Sequence, residues 1–291
     1  RRPRRARRGW PPSGAATPVV MDSFEHVFRR LKINAASVEG ESFHRFSRTK
    51  MIEELEKAVG EGNPHFSHFG PEANLFAELE ELFRCYGENG TGQRRQYLHS
   101  QAAVDQAGIA GLKPGDFTPW EALPEKSDML FYQGLHGCVV TEDADVAQYV
   151  DLKLGIVPII NMEWIQKIHR DTNQRGYSEQ AVIDTILRRM HEYVHYLIPQ
   201  FQLTDINFQL VPTVDTSDPF FATEVPTVDE CVIVIRFSDP DKFGIDFPFL
   251  LSKIDNSWMS RRNSIVVPGG KMGLAMELIL TQILAQLMDA K

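Results

Sequence analysis

Apolar positions along the chain recur with two periods, one helical and one of short continuous runs. Phe24, Val27, Phe28 and Leu31 fall at helical spacing, as do Ile52, Leu55 and Val59. Leu75, Leu79, Leu82 and Phe83 mark a clearer helix, which Gly87 is expected to close. Further helices are predicted over 162–172 and 178–196, the second ended by Pro199, and a strong amphipathic helix over Leu274–Met288. Between them, Ile33–Val38, Met129–Tyr132, Leu152–Ile160, Phe208–Val214, Val232–Phe237 and Ile265–Val267 read as strands, and the run at 152–160 as one buried on both faces. Strands alternating with helices predict an α/β fold, a largely parallel or mixed sheet covered by helices. The stretch from Tyr86 to Trp120 is long, polar and rich in Gly and Gln, which reads as a functional loop. No internal repeat or domain boundary interrupts residues 19–291, so they are expected to form one domain.

Residues 1–18, RRPRRARRGWPPSGAATP, depart from this pattern. They have no periodicity and no apolar segment of the kind a signal peptide needs, so they read as a disordered or aberrant leader. They also distort the charge. The net charge is -8, but without the six arginines of the first ten residues, 25 basic residues face 39 acidic ones, or -14. An acidic body argues against a nucleic-acid partner. No run of eighteen apolar residues occurs, so no membrane span is expected. Cys85, Cys138 and Cys231 lie far apart without a CxxC pair, which suits a reducing cytoplasm.

Four constellations carry candidate chemistry. Lys167, Arg170 and Arg175, with Asp171 among them, follow the buried strand and can clamp phosphate oxygens, although most such charge runs are solvated helix faces. Glu39 to Arg48 follows the strand at 33–38, where open α/β sheets place ligands; a carboxylate there can act as general base, with His44 and Arg48 holding an anion. Met129–Gly137 is an apolar strand ending in Gln133, where nucleotide kinases place the acid that organises Mg²⁺. His191-Glu192-Tyr193-Val194-His195 matches the H-E-x-x-H zinc motif. No histidine follows position 195 to serve as third ligand, and Arg188 and Arg189 stand just before it, so the zinc reading is set aside.

FSHF (66–69), EAN (72–74), FYQGLHG (131–137), INMEWIQKIHRD (160–171), RGYS (175–178), LRRMHEYVHYLIPQF (187–201), TDINFQ (204–209), PTVDTSDPF (212–220) and SWMSRRNSIVVPGGK (257–271) together resemble the bacterial-type phosphoribulokinases, the octameric, NADH-activated class. The resemblance spans residues 20–290 and explains HEYVH as part of a family helix. It implies a P-loop kinase-like mixed sheet flanked by helices, whose first strand is here replaced by the Arg/Pro-rich leader. It implies MgATP-dependent phosphorylation of ribulose 5-phosphate at O1, giving ribulose 1,5-bisphosphate for carbon fixation in the Calvin cycle. It also implies a cytoplasmic homo-oligomer, activated by NADH and inhibited by AMP.

By the same resemblance Glu41 stands at the catalytic base, Lys167 and Arg170 are catalytic cations, and Asp171 is a catalytic carboxylate. His44, Arg48, Tyr97, His99 and Arg175 bind the sugar phosphate. Ser13, Gly14, Ala15, Ala16 and Thr17 match the ATP loop, with Thr17 and, through water, Gln133 toward Mg²⁺. Arg188, Arg189, Arg236 and Arg261 fall at positions tied to effector binding. Three features depart from the family pattern. Pro11 to Pro18 replaces Gly-Ser-Ser-Gly-Ala-Gly-Thr-Thr, Glu41 replaces Asp, and Gln133 replaces Glu. Two alternatives therefore stand beside the kinase: a catalytically defective relative acting as a regulatory or structural subunit, and a uridine kinase-like enzyme.

Overall fold

The computed structural model describes residues 17–290 apart from 174 and 223. Helix α1 (Thr17–Leu31) opens them and buries Val20, Phe24 and Val27. Strand β1 (Ala35–Glu39) follows, with Ala36 and Val38 buried, and runs into a 3-10 turn, Gly40–Phe43. Helix α2 (Arg48–Gly60) begins at Ser47, whose hydroxyl accepts from Lys50 N. Helix α3 (Phe76–Asn89) buries Phe76, Leu79, Leu82 and Phe83 on one stripe. Its predicted stop at Gly87 is corrected. The helix runs to Asn89, because Gly90 is the residue that takes the left-handed conformation, φ 66°, and donates its N–H to Tyr86 O.

The polar excursion carries short elements of its own. Strand β2 (Gln93–Arg94) pairs antiparallel with β3 (Glu121–Ala122), and α4 (Gln101–Ala107) lies between them in the chain. Strand β4 (Met129–Gln133) then pairs parallel with β1, setting Gln133 opposite Glu39.

The second sheet has the order β5-β6-β7-β9-β8, from β5 (Leu154–Pro158), β6 (Ile206–Pro212), β7 (Cys231–Phe237), β8 (Trp258–Arg261) and β9 (Ser264–Pro268). Its β5–β6 pair is parallel and the others are antiparallel, a mixed sheet as predicted. Helices α5 (Ile160–Asn173) and α6 (Glu179–Glu192) connect β5 to β6, followed by a π-turn over Tyr193–Leu197 and α7 (Gln200–Leu203). Helix α8 (Phe247–Lys253) precedes β8, and α9 (Met272–Asp289) closes the described chain. Strand β8 was not predicted: Trp-Met-Ser-Arg is short and largely exposed, as an edge strand is.

The largest core lies between this sheet and helices α1 and α9, around Ile206, Ile235, Ile265, Ile279 and Met276. Each such side chain contributes about 1.5–3 kcal/mol by leaving water. The segment Gly269–Asp289 is long and apolar enough to cross a membrane by length and composition, but Ala275, Met276, Ile279, Leu280, Ile283 and Leu284 of α9 are buried in this core. The Arg/Pro-rich leader expected in place of a first strand falls outside the described residues, except Thr17 and Pro18, which open α1. Among the described residues, β4 and β5 each keep one edge without a ladder partner.

Candidate active site

Glu41 leaves the end of β1 on the 3-10 turn and is half-exposed, in contact with His99 Nε2. Burial pushes its carboxyl up, but the His99 contact and the charges of His99, His44 and Arg175 outweigh this and hold it below the ordinary carboxylate range. Glu39 goes the other way, raised by burial and by the charge of Glu41. His44 is fixed by Asn74, Nδ1 to Oδ1 at 2.8 Å, and burial lowers its pKa. Asn74 is itself held, donating to His68 O at 2.9 Å and Gly70 O at 2.7 Å. Tyr97 lies edge-on to both His44 and His99, with ring centroids 6.5 and 4.8 Å away. Arg48 donates to His99 O at 3.1 Å. The predicted loop thus brings its residues onto the turn that carries Glu41.

The second half of the site hangs on one buried carboxylate. Asp171, 4% exposed, receives Lys167 Nζ at 2.5 Å, Arg170 Nε at 3.0 Å and Arg175 Nη1 at 3.1 Å. Burial raises its pKa, and the bonds from Lys167 and Arg170 more than reverse this. Lys167 is pushed down by burial despite Asp171, with Arg189 and Arg170 pushing the same way. Three cations meet on this carboxylate, Glu163 feels two of them, Lys167 and Arg170, and Arg175 is felt by both Asp171 and Glu41. A half-exposed carboxylate near a cluster of cations can activate a hydroxyl on an anionic substrate.

The sequence profile of the Phosphoribulokinase / Uridine kinase family matches residues 11–217. The chain belongs to this family. It is 57% identical over 279 residues to a phosphoribulokinase of Nitrobacter vulgaris, covering 96% of this chain and 94% of that protein. A chromosomal phosphoribulokinase of Cupriavidus necator is 55% identical with the same coverage. Among solved structures, a phosphoribulokinase from Rhodobacter spheroides superposes with a TM-score of 0.86 at 52% identity, over 95% of each chain.

The remaining family positions are placed as follows. Gln133 ends β4 beside Glu39, and its Oε1 is buried without a hydrogen-bond partner. Here β1 and β4 approach so closely that a Cβ on Gly40 would lie 2.5 Å from Tyr132 Oη and 2.7 Å from Gly134 Cα, so only glycine fits. Glu39, Glu41 and His99 bring their ligand atoms within 4.8 Å of one another. Ser13, Gly14, Ala15 and Ala16 lie outside the described residues, and Thr17 opens α1. Arg188 donates to Phe66 O at 2.6 Å, and Arg189 lies over the Phe69 ring at 5.9 Å, its pKa lowered to about 10 by burial and by Arg188. Arg236 sits apart on β7, donating to Phe201 O at 3.2 Å, and Arg261 ends β8.

In HEYVH the two histidines and the glutamate face opposite ways. His191 and His195 are exposed and stack in a row with His65, centroids 4.5 and 4.2 Å apart. Glu192 is buried and accepts from Ser67 Oγ at 2.5 Å. The motif's zinc chemistry needs that glutamate beside the metal. Here it instead anchors the segment that carries Asn74. Sequence reasoning gave no role of their own to Asn74, which entered only within the EAN motif, to Glu39, which entered only within the Glu39 to Arg48 loop, or to Arg95. Of these, only Glu39, two residues from Glu41 at a strand end, gives a usable sequence signal.

Proposed function

We propose that this chain transfers the terminal phosphoryl group of ATP to O1 of ribulose 5-phosphate, giving ribulose 1,5-bisphosphate and ADP. The observation that carries the reading is the Glu41 carboxylate, kept ionised by His99 and set within the field of the Asp171 cation cluster. Glu41 takes the O1 proton as O1 bonds to the γ-phosphorus and the bond to the β-bridging oxygen breaks. Lys167 and Arg170 stabilise the charge on the transferring group, while Arg175, Arg48 and His44 hold the substrate phosphate, with Tyr97 and His99 lining the sugar. Asp171, engaged by three cations, holds them in place as the catalytic carboxylate of the cluster.

Magnesium bound with ATP supplies charge neutralisation on the phosphates. The paired Glu39 and the unsatisfied Gln133 Oε1 fit a hard oxygen-seeking cation or its waters, and these two residues would hold it. The same reading carries a cytoplasmic homo-oligomer and NADH activation through Arg188, Arg189, Arg236 and Arg261.

A coupled ADP assay tests the reading. Turnover with ribulose 5-phosphate and none with uridine is the expected result, and equal turnover of uridine overturns it. The neutral Gln133 favours a second reading, a relative that binds the sugar phosphate without turning it over. Calorimetry showing binding in a protein with no ADP release would decide for that one.

A further inference from the structure

Arg95 reaches no reacting group, yet both halves of the Glu41 side hang from it. Its Nε donates to Ser42 O at 2.8 Å and its Nη2 to His44 O at 2.6 Å. Ser42 Oγ, on a buried side chain, donates back to Arg95 O at 2.5 Å. The guanidinium lies 3.8 Å from the Phe117 ring centroid and 4.7 Å from that of Trp120, which in turn meets Phe43 edge-on at 5.5 Å. Glu41 stands immediately before this clamped stretch. Tyr97 and His99 stand two and four residues beyond Arg95, and His99 is the residue that meets Glu41.

A four-residue 3-10 turn is a weak support for a catalytic base. Its own closing bond is His44 N to Glu41 O at 3.1 Å, and such turns have poor hydrogen-bond geometry. Arg95 supplies the side-chain donors that the Ser42 and His44 carbonyls receive. Only arginine meets these demands together, since its rigid fork reaches two acceptors at once while its flat face stacks between rings.

We propose that Arg95 is a positioning residue for phosphoryl transfer, locking the Glu41 turn in register with the His99 segment so that base and partner keep their contact. The proposal rests on the kinase reading above. It is tested by Arg95→Lys, which keeps the charge but loses the fork and the stacking plane, with Arg84→Lys as a surface control. Arg95→Lys should fold, keep KM for ATP, and lose kcat by about 10–100-fold, as a base displaced by about 1 Å would. The loss should stand in kcat with KM for ATP unmoved, a split that a general loss of folded protein would not give.

A variant with wild-type kcat overturns the proposal, as does a loss of activity that merely follows the unfolded fraction in thermal melts. If the wild-type chain does not turn over ribulose 5-phosphate, the kinase reading fails on its own. Positioning is then read from hydrogen exchange of the backbone amides of residues 40–44. Faster exchange there in Arg95→Lys, with the rest of the chain unchanged, supports the clamp, and unchanged exchange there refutes it.

Discussion

Glu41 and Asp171 are both held below the ordinary carboxylate range, by opposite arrangements. Glu41 is half-exposed and has one close partner, His99; Asp171 is buried and has three cations within 3.1 Å. The difference separates ionisation from availability. A carboxylate with one partner keeps acceptor sites open, whereas one met by three cations has most of them taken.

The largest effects should break this contrast most openly. Glu41→Gln is expected to lower kcat by roughly 10²–10⁴-fold, the usual worth of a general base, while leaving the thermal midpoint near wild type. Asp171→Asn should do the reverse to stability. Removing one partner from a buried ionic cluster costs about 3–5 kcal/mol, here because three cations are left facing one another. Denaturant unfolding of both variants checks this. Equal destabilisation would erase the distinction.

A smaller effect concerns acid. Folding depresses the Asp171 pKa, so its stabilisation is fully present above its ordinary value near 4 and is lost as pH falls through the lower folded value. Glu39 and Glu192 are raised, so their contributions run oppositely, present in acid and lost as pH climbs past the ordinary value near 4.5. Unfolding free energy of the wild type should therefore fall below pH 4 more steeply than that of Asp171→Asn. Parallel curves would show that Asp171 is not the group responsible.

How much of this was legible in the sequence depends on the range of the interaction. Lys167, Asp171 and Arg175 recur every four residues, so their meeting could be read from helical spacing. The core face of α9 was legible in the same way. The His44–Asn74 and Glu41–His99 contacts join segments 30 and 58 residues apart, and no local period encodes them. Arg95 was invisible for a different reason, since it binds backbone carbonyls, which every residue has. Gly87 and Gly90 look alike as letters; only the positive φ at the true helix end tells them apart.

Two finer predictions sharpen the picture. Gln133→Glu places a second carboxylate opposite Glu39, which should weaken the metal-free protein by less than about 1 kcal/mol and lower the Mg²⁺ concentration needed for activity. An unchanged Mg²⁺ titration in an active protein would remove Gln133 from the metal's surroundings. Smallest is Glu192→Gln, which keeps an oxygen for Ser67 and removes a charge that burial disfavours, so stability should change by no more than about 0.5 kcal/mol. Glu192→Ala, leaving Ser67 unpaired, should cost about 1–3 kcal/mol. Chelators should not move either unfolding curve.

The excess of cations around Asp171 also bears on how the folded protein and its ligand are linked. Three cations meet on Asp171, with the Glu163 carboxyl near enough to feel Lys167 and Arg170, within a chain whose net charge is -8. Ligand that binds only the folded form adds stability by mass action, about 2.7 kcal/mol at a hundred times its dissociation constant. A sugar phosphate held by those cations, as proposed above, would raise the fraction of molecules that stay folded in step with its concentration.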